Sequence, residues 1–183
     1  MNYLLLIQQF SFSQKIVLFV VVFFIFLNTF TRIFSSKPYL SALFHLPGTI
    51  LHELAHFFVG LILFAKPIGF SLIPKKEGKL LTLGSVSFIN INFFNAIPTA
   101  FAPLLLLLLG VFLIFNFNQI ENFFLIKHNV NEIMFLILFG YILYSCVSSS
   151  LPSSQDFLVA LSSPVGIAFY FTVIYYYLRK IPL

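Results

Sequence analysis

Long apolar runs with very few charged residues between them are the feature that most limits how this chain can fold. Runs of roughly 20 mostly apolar residues recur along the sequence, and a helix needs about that length to cross a bilayer. Only 8% of the residues are charged, whereas a soluble globular domain carries about 25%. The aliphatic and aromatic content equally excludes a disordered chain. The pattern therefore predicts an integral membrane protein.

The apolar runs predict an all-α polytopic membrane protein with about five transmembrane helices. We expect residues 1–183 to form a single transmembrane domain, in a multi-pass protein of the cell membrane. The predicted spans, from first to fifth, are residues 16–34, 39–64, 93–116, 132–150 and 157–178. Pro164 is expected to bend the fifth span, which neighbouring helices tolerate in lipid. Residues 3–10 are too short to span and are expected at the membrane interface.

The connection between the second and third spans predicts a small β-hairpin or re-entrant insertion. Residues 85–88 alternate between serine and apolar side chains, which is typical of a strand. The sequence Lys-Glu-Gly-Lys at residues 76–79 suits a hairpin turn. A plain polar loop is the alternative interpretation of this segment.

The basic residues lie between the apolar runs rather than in one patch. That distribution is typical of side chains that anchor helix ends at lipid headgroups. The net charge of +5 therefore predicts a lipid bilayer, and not nucleic acid, as the partner of these residues. The single cysteine, Cys146, excludes an internal disulfide.

An HExxH motif, with the sequence HELAH at residues 52–56, lies within the second predicted span. Residues four apart on a helix lie one above the other, so the imidazoles of His52 and His56 can share a zinc ion. Glu53 lies beside that point, where it can take a proton from the metal-bound water and return it to a leaving amine. The alternative is a pair of structural histidines with Glu53 as a buried partner. Lipid disfavours that alternative, because such polar groups are costly near mid-membrane.

A catalytic zinc site takes three protein ligands, so the motif needs a third. Asp156 is the leading candidate, because it is the only aspartate and follows the fourth span on the side towards which the second span runs. To reach the histidines, the chain must leave the fourth span near residues 150–152 and turn inward. Alternatively, Asp156 forms a capping box with Ser153 at the start of the next helix, and both roles can hold together. The competing ligands are Glu121, Glu132, His45 and His128, with Pro47-Gly48 expected to disrupt the helical register between His45 and the motif.

Three features together resemble the site-2-protease-like intramembrane zinc metalloproteases. They are HELAH in a transmembrane helix, a hairpin-like insertion after it, and Pro152-x-x-x-Asp156 at the end of a later span. The resemblance covers about residues 39–160, the metalloprotease core of that family. It implies zinc held by His52, His56 and Asp156, with Glu53 as the catalytic base. It also implies that residues 68–91 bind an unwound substrate by strand addition.

The sequence departs from the family pattern around the aspartate. Ser149 stands where the usual Asn-x-x-Pro has asparagine, the spacing from proline to aspartate is one residue shorter, and Phe157 replaces the usual glycine. The histidines and the adjoining glutamate match the family motif closely. The departures therefore concern the third ligand rather than the first two.

The expected function is that of a zinc-dependent intramembrane endopeptidase. It would hydrolyse peptide bonds in transmembrane or juxtamembrane segments of a membrane-protein or peptide substrate, using a zinc-activated water and Glu53 as general base. One alternative is a non-catalytic zinc-binding membrane protein that acts as a chaperone or regulator of client helices. A metal-ion carrier is the other, and the concentration of polar residues in one place disfavours it.

Overall fold

The computed structural model describes residues 12–33, 38–72, 75–77, 80–82 and 84–180. The described part of the chain is mostly helical, with small antiparallel strand pairs after the second helix. The elements are helices α1 (Phe12–Ile33) and α2 (Pro38–Ile62), strands β1 (Pro67–Ser71), β2 (Lys75–Glu77), β3 (Leu80–Thr82) and β4 (Ser85–Phe88), and helices α3 (Ala96–Ala100), α4 (Leu105–Phe115), α5 (Phe117–Asn122), α6 (Glu132–Ser148), α7 (Ser154–Leu161) and α8 (Pro164–Leu178). The interfacial segment expected at residues 3–10 lies outside the described residues.

Helix α2, which carries the HExxH motif, continues without a break through Pro47. The disruption expected at this proline is therefore wrong. A proline inside a helix removes a backbone donor and crowds the preceding turn, yet two hydroxyls donate to carbonyls of that turn. Tyr141 donates to the carbonyl of Phe44 at 2.6 Å, and Thr49 donates to the carbonyl of His45 at 3.1 Å. Side chains thus supply additional hydrogen bonds in the turn that the proline crowds.

The insertion after α2 forms two antiparallel strand pairs, β1 with β4 and β2 with β3. The strand predicted at residues 85–88 is confirmed as β4. Lys76 and Glu77, expected in the turn, lie in β2 instead, and the other two expected turn residues lie outside the described part of the chain. Strand β4 packs along α2, because the ring of Phe88 occupies the space that a side chain at Gly60 would need.

The third predicted span, residues 93–116, is not one helix. It consists of α3, a 3-10 turn at Ala102–Leu104, and α4. Helix α5 and a π-helical turn at Phe123–Lys127 come after it. Pro98 and Pro103 lie in the interrupted part, and each lacks the backbone N–H that a continuous helix requires. The fifth predicted span is likewise divided into α7 and α8, which meet at an angle of 87°. Helix α8 begins at Pro164, so the bend predicted at this proline is confirmed.

Helix α6 is the central support of the candidate site, since it packs against α1, α2 and α4. A buried cluster of Phe117, Phe135, Phe139 and Leu143 joins it to α5. The cluster holds α6 so that its C-terminal end meets the middle of α2.

Among the described residues, no single helix combines the length and the apolar character needed to cross a membrane. Two bent pairs of helical segments meet both requirements when each pair is taken together. They are Ala102–Phe115 with Phe117–Ile126, bent by 68°, and Ser154–Leu161 with Pro164–Leu178. The expectation of about five spans stays a prediction.

Candidate metal centre

The HExxH motif places its polar side chains on the buried side of α2. Glu53 is 8% exposed and His56 is 6% exposed, while His52 is half-buried. Glu53 follows His52 by one position and His56 follows His52 by four, so the helix places the three side chains at neighbouring points of its surface. Burying an acid and two imidazoles costs free energy unless they have polar partners. The groups that contact these three side chains therefore define the site.

The chain returns towards α2 after α6 ends. Helix α6 stops at Ser148, residues 149–153 are not helical, and α7 begins at Ser154. Pro152 lies in this interval and cannot continue a helix that precedes it. The break expected near residues 150–152 is therefore present, and it carries Asp156 back towards the histidines.

The donor atoms of His52, His56 and Asp156 converge on one point. The two Nε2 atoms lie 3.2 Å apart. Asp156 Oδ1 lies 3.1 Å from Nε2 of His56, and Oδ2 lies 3.5 Å from Nε2 of His52. Ligands placed tetrahedrally at 2.0–2.1 Å from a zinc ion are about 3.3 Å from each other. One ligand atom from each of the three side chains lies within 4.8 Å of the others, so together they could hold a metal ion.

Two backbone carbonyls fix the orientation of both imidazole rings. His52 Nδ1 lies 2.7 Å from the carbonyl oxygen of Ser149, and His56 Nδ1 lies 2.7 Å from the carbonyl oxygen of Thr99. A carbonyl oxygen only accepts, so each Nδ1 must carry the hydrogen that is donated. In a neutral imidazole the lone pair is then at Nε2, which is the atom that faces the other ligands. This is the usual arrangement around metal-bound histidines.

The convergence of acceptors gives the site its electrostatic character. Two Nε2 lone pairs and a carboxylate face a common point, and these groups repel one another unless a cation or an added proton lies among them. Nitrogen and oxygen ligands in this combination suit zinc and also other metals that imidazole binds. The arrangement could therefore hold a cation, or a proton shared between an imidazole and the carboxylate.

Glu53 lies next to this point without joining the group of three. Its carboxylate has no hydrogen-bond partner among the described residues, and it is close enough to both histidines and Asp156 to interact with their charges. An added Cβ at Gly84, just before β4, would lie 2.7 Å from Glu53 Cγ and 2.9 Å from its Oε1. The backbone before β4 therefore covers the glutamate directly.

The competing ligands proposed from the sequence lie elsewhere. Among the described residues, the only group of metal-binding side chains contains neither Glu121, Glu132, His45 nor His128. The rings of His45 and Tyr144 are neighbours, with centroids 6.2 Å apart. The ring of His128 lies 4.7 Å from that of Phe123. These histidines have aromatic surroundings rather than the converging acceptors of a metal centre.

The asparagines before α3 bind the backbone instead of facing the site. Asn95 is fully buried, and its amide donates to the carbonyls of Leu63 and Asn90. Asn92 accepts from the backbone N–H groups of Phe94 and Asn95. These hydrogen bonds give both asparagines a structural role.

Sequence reasoning missed three contributors to the site. These are the carbonyls of Thr99 and Ser149 and the close approach of Gly84. Backbone carbonyls occur in every residue and carry no signal of their own. A glycine at the edge of a strand was the one available hint, since it often marks a close approach of another group.

No family model matches this chain, and neither a curated protein nor a solved structure matches it at a significant level. The resemblance to site-2 proteases therefore rests on the motif residues themselves.

Proposed function

We propose that the protein is a zinc-dependent endopeptidase that hydrolyses peptide bonds in transmembrane or juxtamembrane segments of membrane proteins. The observation that carries the proposal is the convergence of His52, His56 and Asp156 within 3.1–3.5 Å of one another, with Glu53 beside them. Three protein ligands are the number that a catalytic zinc site uses, because the fourth position must stay open.

Different residues of the chain would bind the zinc, transfer the proton and orient the zinc ligands. Zinc, when bound, would lower the pKa of a water molecule and polarise the carbonyl of the scissile peptide bond. The carboxylate of Glu53 is free of hydrogen bonds among the described residues, so it can accept a proton from the attacking water. It then delivers that proton to the nitrogen of the departing amine as the C–N bond breaks. The carbonyls of Ser149 and Thr99 hold the rings of His52 and His56 in place throughout.

Several features support a location in the cell membrane with lipid as the surrounding solvent. Large apolar side chains are exposed on the described helices, including Phe115 at 85%, Ile126 at 80% and Phe171 at 72%. Extended apolar surface of this kind marks contact with a membrane or another protein. Two bent pairs of helical segments each reach, taken together, the length and apolar character that a membrane crossing needs.

The sheet supports an extended peptide as the substrate. Among the described residues, β4 pairs only with β1, so one edge of β4 has no strand partner there. Strand β4 begins beside Gly84, which contacts Glu53. In strand addition an extended peptide pairs with an exposed sheet edge. A peptide paired with this edge of β4 would pass close to Glu53, the proposed catalytic base. Because a helical substrate hides its backbone groups, the peptide must unwind before it is cleaved.

The decisive experiment compares metal content and cleavage in the purified protein. The unaltered chain and a Glu53→Gln variant are loaded with zinc in detergent and incubated with a panel of fluorescently labelled single-span peptides. We expect Glu53→Gln to retain one zinc per chain and to cleave at least about 100-fold more slowly, since it loses the proton acceptor. Glu121→Gln is the matched control, because Glu121 lies outside the site, and it should cleave at the unaltered rate.

Two results would overturn the proposal. A Glu53→Gln protein that cleaves as fast as the unaltered chain would show that the glutamate is not the base. Zinc binding without cleavage of any peptide on the panel would instead favour a zinc-binding chaperone or regulator of client helices.

A further inference from the structure

Gly48 marks a close approach between α2 and α6. It lies on α2 one turn before His52, on the same face of the helix. A Cβ placed on Gly48 would overlap with the hydroxyl oxygen of Ser149 and would lie 3.2 Å from both Ser149 Cβ and the carbonyl oxygen of Ser145. The absence of a side chain at Gly48 is therefore what allows the end of α6 to reach this position.

The close approach brings a helix-end carbonyl to the metal site. Ser149 is the C-terminal cap of α6, and the last carbonyls of a helix have no partner within the helix. Its carbonyl oxygen instead accepts the hydrogen bond from His52 Nδ1 at 2.7 Å. The side chain of Ser149 thus contacts Gly48 while its carbonyl orients the first histidine.

Local helix stability does not account for a glycine at this place. Glycine inside a helix costs about 0.5–1 kcal/mol relative to alanine, and Gly48 directly follows Pro47 within α2. Gly110 on α4 gives a useful contrast, because α4 packs against the same helix α6. A Cβ on Gly110 would lie 3.8 Å from Cys146 Cβ, an ordinary contact. Of these two glycines on helices that pack against α6, only Gly48 lies where a side chain would not fit.

We propose that Gly48 is a positioning residue for the metal centre, which lets the carbonyl of Ser149 approach and orient His52. The inference rests on the metal site of the proposed function, but it does not depend on peptide hydrolysis. A side chain at this position pushes Ser149 away, and His52 then loses the acceptor that fixes its ring.

The test measures zinc affinity in Gly48→Ala by competition with a chromophoric chelator, in detergent. We expect the affinity to fall about 10–100-fold, the usual effect of losing a group that orients a metal ligand. Gly110→Ala introduces the same methyl group against the same helix and should bind zinc like the unaltered chain. The thermal midpoint of the metal-free protein is measured in parallel. A midpoint that falls while zinc affinity stays unaltered would show a packing role only and would overturn the inference.

A double variant, Gly48→Ala with Ser149→Gly, makes the test specific. It removes the Ser149 side chain that the new methyl group would meet, but it keeps the carbonyl, so we expect zinc affinity to return to within about threefold of the unaltered value. A folded double variant that binds as weakly as Gly48→Ala overturns the inference. If Gly48→Ala does not fold, the double variant is compared with the unaltered chain: zinc affinity within about threefold supports the inference, and a folded double variant that binds at least about tenfold more weakly overturns it. Zinc binding without peptide cleavage in the unaltered chain would refute the peptidase and leave this inference standing.

Discussion

Asp156 and Ser153 form reciprocal hydrogen bonds at the start of α7. The backbone N–H and the hydroxyl of Ser153 both donate to Asp156 Oδ2, at 2.6 and 2.7 Å, and the hydroxyl accepts from the N–H of Asp156 at 3.2 Å. The same carboxylate faces Nε2 of His52 and His56. The capping box therefore orients a carboxylate that also faces the histidines, and the two roles weighed from the sequence are compatible.

Replacing Asp156 by asparagine should separate its two roles. The amide oxygen of Asp156→Asn can still accept from Ser153, so the cap of α7 is largely kept. The negative charge that faces the histidines is lost, and zinc affinity should fall by at least about 100-fold, beyond the range typical of groups outside the ligand set. Chelator competition measures the affinity, and the thermal midpoint of the metal-free protein reports the cap.

The matched variant Ser153→Ala should have the opposite effect. It removes the capping hydroxyl but leaves the carboxylate of Asp156, so the free energy of unfolding should fall by about 1 kcal/mol. Zinc affinity should change less than about tenfold, because the ligand itself remains. Equal losses of zinc affinity in Ser153→Ala and Asp156→Asn would contradict the assignment of Asp156 as a ligand.

Gly84→Ala should impair turnover without removing the metal. The added methyl group would meet Glu53 Cγ and Oε1, which displaces the carboxylate from its place beside the histidines. We expect zinc affinity within about threefold of the unaltered value and a cleavage rate lowered at least about tenfold, because proton transfer depends on hydrogen-bond geometry. Gly69→Ala on β1 is the control, since its methyl group would meet Ser87 at an ordinary 3.5 Å. A Gly84→Ala protein with unaltered turnover would show that the close approach has no role in catalysis.

Thr99→Val should stabilise the protein while leaving the metal site intact. The hydroxyl of Thr99 is buried and has no hydrogen-bond partner among the described residues, and such a group costs about 1–3 kcal/mol. Its removal should raise the free energy of unfolding by about 1 kcal/mol. Zinc affinity should not change, because His56 contacts the carbonyl of Thr99 rather than its side chain. The control Thr172→Val removes an exposed hydroxyl bonded to Ala168; a drop in stability for Thr99→Val larger than for this control would contradict the expectation.

The histidine pair and the break before Asp156 could be predicted from the sequence because both depend on local rules. A helix fixes the spacing of residues 52 and 56, and Pro152 prevents α6 from continuing. The strand at residues 85–88 also follows from a local alternation. These are the features for which neighbouring residues determine the backbone.

The remaining features depend on contacts between distant parts of the chain. The sequence does not indicate that the carbonyls of Ser149 and Thr99, 97 and 43 residues from their histidines, would orient the rings. Composition predicted residues 93–116 as a single apolar span, although their prolines divide the helix. Hydrophobicity describes the solvent that a segment prefers, but it does not determine where a helix bends.

Removing the metal should destabilise the protein by an amount that grows with the logarithm of the zinc affinity. Zinc that binds only the folded chain stabilises it by about 2.7 kcal/mol at a free concentration of 100 Kd, which corresponds to a rise in thermal midpoint of roughly 5–10 °C for a chain of this size. The measurement is a melting curve in detergent, with zinc and then with excess chelator. His56→Ala lacks one ligand and should show no such shift, and magnesium, which prefers oxygen ligands, should not replace zinc in the unaltered chain. An equal zinc-dependent shift in His56→Ala would place the bound metal somewhere other than at the two histidines and Asp156.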